Sequence, residues 1–108
     1  MNLPTEVFGE VVVVHAPEEF GADQAPAVLA YLTGQAQSRV VLDLDNTEFL
    51  DSAGLEALLD AQDRLRELGG ELKIAVANPV NRKILEITRL DRHLEVFDNV
   101  LDAVKSFR

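Results

Sequence analysis

Short apolar runs alternate along this chain with longer segments in which apolar residues recur every three or four positions. The run Val11–Val14 is wholly β-branched, which is typical of a strand that is covered on both faces. Thr5–Phe8, with Gly9 at the following turn, predicts an edge strand. The predicted strands are Thr5–Phe8, Val11–Val14, Val40–Leu44, Leu72–Val76 and Leu94–Phe97.

Helical periodicity fills the segments between these strands. One apolar stripe is formed by the leucines at positions 55, 58, 59, 65 and 68, and Gly69-Gly70 provides a stop after it. Asn78-Pro79 has the pattern of an N-cap followed by a proline in the first turn, ahead of Val80, Ile84, Leu85 and Ile87. The predicted helices run from about Asp23 to Ala36, from about Ala53 to Leu68, from Pro79 to Thr88, and from about Asn99 onward, with Leu101, Val104 and Phe107 at helical spacing.

The alternation of strands and helices predicts an α/β fold. Each strand–helix–strand step implies a parallel pair joined by a right-handed crossover. The 108 residues fit one domain, spanning 1–108, with a sheet of four or five strands and helices around it.

The charge of the chain limits its partners. Ten Lys and Arg residues against nineteen Asp and Glu residues give a net charge of −9, which disfavours binding to nucleic acid or to anionic lipid. Cations cluster at Arg82, Lys83, Arg89 and Arg92 with Glu86 and Asp91 among them, and we interpret this cluster as a solvated helix face. The chain has no cysteine, which excludes disulfides and thiolate chemistry. No apolar run approaches the ~18 residues of a membrane span and no signal peptide is visible, so we expect a cytoplasmic protein without membrane insertion.

The loop Leu50–Leu55, with the sequence LDSAGL, follows the second buried strand and leads into a helix. Ligands of open α/β sheets gather beyond the carboxyl ends of the strands. The first N–H groups of a helix have no intrahelical acceptor, so a phosphate on the hydroxyl of Ser52 would be accommodated there. The alternative is structural, because Asp51 or Ser52 could simply cap the helix.

The same loop resembles the signature of the STAS domain, and more narrowly that of the bacterial anti-sigma factor antagonists. The resemblance includes Val40–Leu44 with Thr47 and Phe49 before the LDSAGL loop, and it covers most of the chain from Val11 onward. Downstream it continues in Gly69-Gly70-Glu71-Leu72, Asn78-Pro79-Val80, Leu90, Phe97 and Ala103-Val104.

This resemblance implies a mixed sheet wrapped by four or five helices, and a non-enzymatic protein without a cofactor. It implies that Ser52 is phosphorylated by a serine kinase that is also an anti-sigma factor. The unphosphorylated chain binds this partner, phosphorylation releases it, and a serine phosphatase resets the switch. The partner-binding residues that it implies are Asp51, Ser52, Ala53 and Gly54, together with Glu19, Phe20 and Asp23 from the loop 18–23.

Two departures from the family pattern stand out. The family often has Gly-Glu-Leu-Asp after its early strand, and the acid there helps to bind the partner. This chain has Pro17–Asp23 instead, in which Asp23 is the candidate replacement. At Ala53, relatives often carry a second serine.

Other functions stay open at this point. Stand-alone STAS domains also serve as accessory subunits of transporters, such as lipid-trafficking ABC systems, where they brace the ATPase. Asp43, Asp45, Glu48 and Asp51 are dense enough to suggest a hard-metal site, although solvated or capping acids are the more economical interpretation and we expect no metal. A nucleophilic triad of Ser52 with His15 or His93 lacks the glycine of a nucleophile elbow two residues before the serine, so we expect no catalytic residue.

Overall fold

The computed structural model describes residues 2–107 and confirms the α/β fold. A five-stranded sheet has the order β1-β2-β4-β6-β7, in which β1 is antiparallel to β2 and all other neighbours are parallel. The sheet is therefore mixed, with the predicted edge strand at one side. The strands are β1 Thr5–Phe8, β2 Val11–His15, β3 Glu19–Phe20, β4 Arg39–Asp43, β5 Phe49–Leu50, β6 Glu71–Ala75 and β7 Glu95–Phe97; the helices are α1 Ala25–Thr33, α2 Ser52–Glu67, α3 Pro79–Ile87 and α4 Val100–Lys105.

The valine run of β2 serves both faces of the sheet. Val12 and Val14 belong to the main core, to which α1, α2 and α3 contribute. Val11 and Val13 belong to a smaller cluster that includes Ala103 of α4. Because alternate side chains of a strand point to opposite faces, a strand between two helical layers needs an unbroken apolar sequence.

The helix boundaries differ from the predicted ones by a few residues. α1 is shorter at both ends than predicted, and Gly34 stands at its C-cap. α2 ends at Glu67, where the amide of Gly70 donates to Leu65 O at 2.8 Å and Gly69 adopts φ +82°. This is the glycine-terminated helix end that the double glycine predicted.

Several apolar residues at helical spacing do not pack into the core. Leu68 is 64% exposed, so its place on the packed leucine stripe of the second helix was wrong. Leu101, at helical spacing in the last helix, is 60% exposed. Leu68 follows the last turn of α2, and α4 packs instead through Val100, Ala103 and Val104. Within residues 2–107, no helix combines the length and the apolar character that crossing a membrane requires.

A small second sheet was not predicted. β3 and β5 pair in parallel, with Glu19 opposite Phe49 and Phe20 opposite Leu50. The loop before α2 is therefore ordered by main-chain pairing with the segment that precedes α1.

Candidate functional site

The first turn of α2 is capped by Asp51. Its Oδ1 accepts a hydrogen bond from the Gly54 amide at 3.0 Å, and its carbonyl accepts the first intrahelical bond from Leu55. Ser52 is consequently the first residue of the helix, and its side chain is exposed. Since a carboxylate performs the capping, the helix start does not require the Ser52 hydroxyl.

Gly54 is where α2 touches β3. A Cβ at this position would collide with the carbonyl oxygen of Phe20 and would lie 3.0 Å from Leu50 Cδ1. The family resemblance placed Gly54 among the partner-binding residues. The structure shows that the chain's own strand occupies this space, so the glycine sets the distance between Ser52 and the small sheet.

Gly21 brings the loop before α1 close to Asp51. A Cβ here would lie 2.9 Å from Asp51 Oδ2 and 2.9 Å from the Phe49 ring. The Gly21 amide also donates to Gln24 Oε1 at 3.0 Å. Glycine at position 21 thus allows the two predicted halves of the contact surface to meet.

The predicted partner-binding residues divide into two groups. Glu19, Asp23 and Ser52 are exposed, and Asp51 and Ala53 are half-buried, so all five offer surface around one loop cluster. Phe20 is fully buried and Gly54 is buried against it, which corrects their assignment as contact residues. Phe20 anchors β3 in the main core, because removing the large apolar surface of its ring from water stabilises the fold.

Phe49 belongs to this surface, although it was not predicted to. It is 53% exposed on β5, beside Gly21 and Asp51. The sequence contained one signal for it, the alternation of Phe49 with the half-buried Leu50, but a strand of two residues is too short for a recognisable period.

A shallow groove of about 280 Å³ runs between α1 and α2. Its lining is apolar near the helices and acidic toward solvent. The side chains that define it are Ala25, Leu29, Ala53 and Ala57, with Glu56 and Asp60 at the rim. Together with Glu19, Asp23 and Asp51, these carboxylates make the surface around Ser52 acidic.

A buried amide holds the loop between β4 and β5. Asn81 Nδ2 donates to Leu44 O at 3.0 Å and to Thr47 O at 2.7 Å, and Thr47 Oγ1 donates to Pro17 O at 2.9 Å. Buried carbonyl groups need such partners, because an unsatisfied one is costly. These bonds connect α3 to both segments that lead into the small sheet.

Three of the four acids that suggested a metal site have other partners, and the fourth, Glu48, is exposed. Asp43 Oδ2 bonds to His15 Nδ1 at 2.8 Å, and Asp45 Oδ1 accepts from the Ala77 amide at 2.6 Å, while Asp51 caps α2. Between residues 2 and 107 no group of three or more potential ligands is arranged to hold a metal ion.

His15 is held between two carboxylates. Its Nε2 lies 2.8 Å from Glu6 Oε1, and its Nδ1 lies 2.8 Å from Asp43 Oδ2. Hydrogen bonding to Glu6, with a further contribution from Asp43, raises the pKa of His15 although partial burial opposes this. Both ring nitrogens are occupied, so His15 is not the base of a serine triad.

Comparison with known proteins identifies relatives of this fold and sequence. The family model of the STAS domain matches residues 2–103. An anti-sigma F factor antagonist from Paenibacillus polymyxa is 31% identical over 65 residues, which are 60% of this chain and 56% of that protein. The putative anti-sigma factor antagonist BtrV from Bordetella bronchiseptica is 37% identical over 67 residues, which are 62% of this chain and 58% of that protein. The alignments thus span little more than half the length of these two relatives.

Solved structures share the whole architecture. An anti-sigma factor antagonist from Mycobacterium paratuberculosis superposes with a TM-score of 0.84 at 25% identity, covering 97% of this chain and 92% of that one. A putative anti-sigma factor antagonist from Thermotoga maritima gives 0.85 at 20% identity, covering 96% and 92%. The phosphorylated form of the Bacillus protein SpoIIAA gives 0.72 at 19% identity, covering 99% and 100%. The last two likenesses concern the fold alone. With a family match over nearly all its residues and a sheet and helices in the same arrangement, the chain belongs to the STAS domain family.

Proposed function

We propose that this chain is an anti-sigma factor antagonist that acts by partner switching in the cytoplasm. Unphosphorylated, it binds an anti-sigma factor that is also a serine kinase. That kinase phosphorylates Ser52, the complex separates, and a serine phosphatase restores the binding form. The chain itself is regulatory and not an enzyme. The names of its relatives and its STAS fold support this role.

The exposed Ser52 at the start of α2 is the observation that carries the proposal. A kinase can reach this hydroxyl without unfolding the chain, because neither capping nor core packing uses it. The first N–H groups of the helix accommodate a phosphate, and the helix dipole favours it by roughly 0.3–1 kcal/mol. Phosphorylation therefore leaves the fold intact.

Release of the partner follows from the cost of burying the phosphate. A phosphoserine adds about −1.5 to −2 charge at neutral pH. Pushing this dianion into an interface that fits a hydroxyl costs several kcal/mol unless cations meet it. The helix dipole offsets only roughly 0.3–1 kcal/mol of this cost, and the nearby side chains of Asp51, Glu19 and Glu56 are acidic and add repulsion. A loss of about 4 kcal/mol corresponds to a roughly thousandfold weaker complex.

The test is binding to the anti-sigma factor kinase of the same organism, measured by calorimetry for four forms of the chain. Wild type and Ser52→Ala should bind alike, whereas phosphorylated protein and Ser52→Asp should bind far more weakly. Ala30→Asp is the matched control, since it adds one negative charge at an exposed helical position outside the surface. If phosphorylated chain binds undiminished, the switch does not exist.

Purification from native cells separates this proposal from the transporter alternative. Intact-mass analysis should find a phosphate that maps to Ser52, together with a co-purifying sigma-factor regulator. Stable association with a transporter ATPase, and no phosphate under any growth condition, would replace the proposal with the accessory-subunit role.

A further inference from the structure

α3 presents a second apolar stripe to solvent, on the side away from the core. Asn81 and Leu85 are buried, as the packed face of the helix requires. Val80 is 67% exposed and Ile87 is 69% exposed, and Ile84 between them is half-buried. Positions 80, 84 and 87 are neighbours on a helix surface, so these three side chains form one continuous stripe.

The surroundings of this stripe have the opposite charge to the rest of the molecule. Residues 79–93 contain four cations and two acids, a net charge of +2, whereas the remaining 93 residues carry −11. Lys83 stands beside the stripe, one turn from Val80 and one turn from Ile87, and it is exposed. Arg89 and Arg92, both exposed, follow at the end of the helix.

The cations differ in their availability for a partner. Arg82 is bound to Asp98 at 2.6 Å. Among the residues that the structure describes, Lys83, Arg89 and Arg92 have no ion pair within the chain. Arg89, two residues after the end of α3, adopts the left-handed region at φ +61°, the one non-glycine residue between 2 and 107 to do so. A side chain rarely adopts this conformation without support, and here the following turn buries Leu90.

We propose that this α3 face, formed by Val80, Lys83, Ile84 and Ile87 with Arg89 and Arg92, docks an acidic amphipathic helix of a partner protein. Apolar residues of that helix would cover the stripe while its Asp and Glu side chains meet the cations. Exposed apolar side chains rimmed by charge are typical of interaction sites, and opposite charge selects the partner.

Two other occupants fit the face less well. Nucleic acid requires cations at its centre, but an apolar stripe lies there and the remaining −11 repels phosphates. A second copy joined through a two-fold axis would place each α3 against itself and bring Lys83 toward its own equivalent, so like charges would oppose that contact. The face shares no residue with the surface around Ser52, so it is a separate docking site.

The probe is a synthetic peptide of about 18 residues, long enough to form a helix, with leucines every three or four positions and glutamates elsewhere. Binding is followed by amide chemical shifts of the full chain. We expect the shifts to cluster at residues 79–93 and a peptide with lysines in place of the glutamates to bind at least about tenfold more weakly. Raising the salt concentration should weaken binding of the glutamate peptide, because salt screens the attraction between its glutamates and the cations of the face.

Variants of the face make the test sharp. The double variant Val80→Ser/Ile87→Ser should bind the glutamate peptide at least about tenfold more weakly, because it lacks two apolar side chains that the bound peptide would cover. Lys83→Glu should bind the same peptide severalfold more weakly. Leu101→Ser is the control, since it removes an equally exposed apolar side chain from α4 and should leave the affinity unchanged. These sites are exposed, so unfolding curves should show that each variant stays folded.

Three results would overturn the proposal: shifts outside 79–93, equal binding of the lysine peptide, or unchanged affinity in the α3 variants. Self-association through α3 in sedimentation would assign the face to a second copy instead and would equally reject the acidic helix. None of these measurements involves phosphorylation or the kinase, so their failure leaves the switch at Ser52 untouched.

Discussion

Replacing Gly54 by alanine should destabilise the chain, although the same substitution stabilises most helices. In an open helical position, alanine is favoured over glycine by about 1 kcal/mol. Here the added Cβ would collide with the carbonyl oxygen of Phe20 and come within 3.0 Å of Leu50 Cδ1. The carbonyl belongs to a paired strand that is anchored by a fully buried ring, so it cannot move aside cheaply.

The magnitude follows from two opposing contributions. Forcing an extra carbon into a packed contact costs typically about 1–3 kcal/mol, and occasionally more. Because the added Cβ meets a backbone oxygen and not a flexible side chain, the upper part of that range applies, about 2–3 kcal/mol. Subtracting the helical gain of about 1 kcal/mol leaves an expected net loss of about 1–2 kcal/mol. For a domain of this size, each kcal/mol lowers the melting temperature by roughly 4–8 °C.

Urea unfolding followed by circular dichroism measures this loss directly. Ser52→Ala is the matched control in the same helical turn, and it should change stability by less than ~0.5 kcal/mol because that side chain is exposed. Gly54→Ala should also weaken partner binding, since α2 would shift against the small sheet. A Gly54→Ala protein as stable as wild type would refute the close contact between α2 and β3.

Three further predictions concern other polar contacts. Asp51→Ala should cost about 1 kcal/mol in urea unfolding through loss of the N-cap, whereas Asp51→Asn should cost less because its amide oxygen can still accept from Gly54; equal losses would contradict this role. The raised pKa of His15 makes its stabilisation complete below the unfolded pKa of about 6.5 and lost as pH rises through the higher folded pKa, so unfolding free energy should fall over that range in wild type but not in His15→Gln. Asn81→Asp should cost at least about 1–3 kcal/mol, because it removes the donor to two buried carbonyls and adds a charge, and a stable variant would show that water replaces the amide.

The sequence was a good guide wherever local chemistry decides structure. Asn78 accepts hydrogen bonds from the Val80 and Asn81 amides, as its position before a proline predicted. The end of α2 at the glycine pair and the burial of the valine strand were also predicted correctly, because both depend only on neighbouring residues. The exposure of Ser52 followed from its place at a helix start, although the choice of Asp51 as the cap needed coordinates.

Contacts between residues that are far apart in the sequence could not be predicted in this way. Lys73 lies in a strand that reads as apolar, yet it is buried beneath α4, where Nζ donates to Ser106 Oγ at 2.8 Å and lies 4.3 Å from the Phe107 ring centre. The residues next to Lys73 in the sequence do not predict these partners. The same holds for the carboxylates on either side of His15, which come from two other strands.

The sequence alone determined the α/β class, the strands of the five-stranded sheet, the helices to within a few residues, and the loop that carries Ser52, because hydrophobic period, capping and glycine act within a few residues. Only the tertiary structure decided which of the candidate residues reach solvent. It buried Phe20 and Gly54 against each other, exposed Phe49, and turned an apolar stripe of α3 outward. The physical reason is that burial depends on which distant segments pack against each other. The hydrophobicity of a residue does not by itself show whether another segment of the chain will cover its side chain.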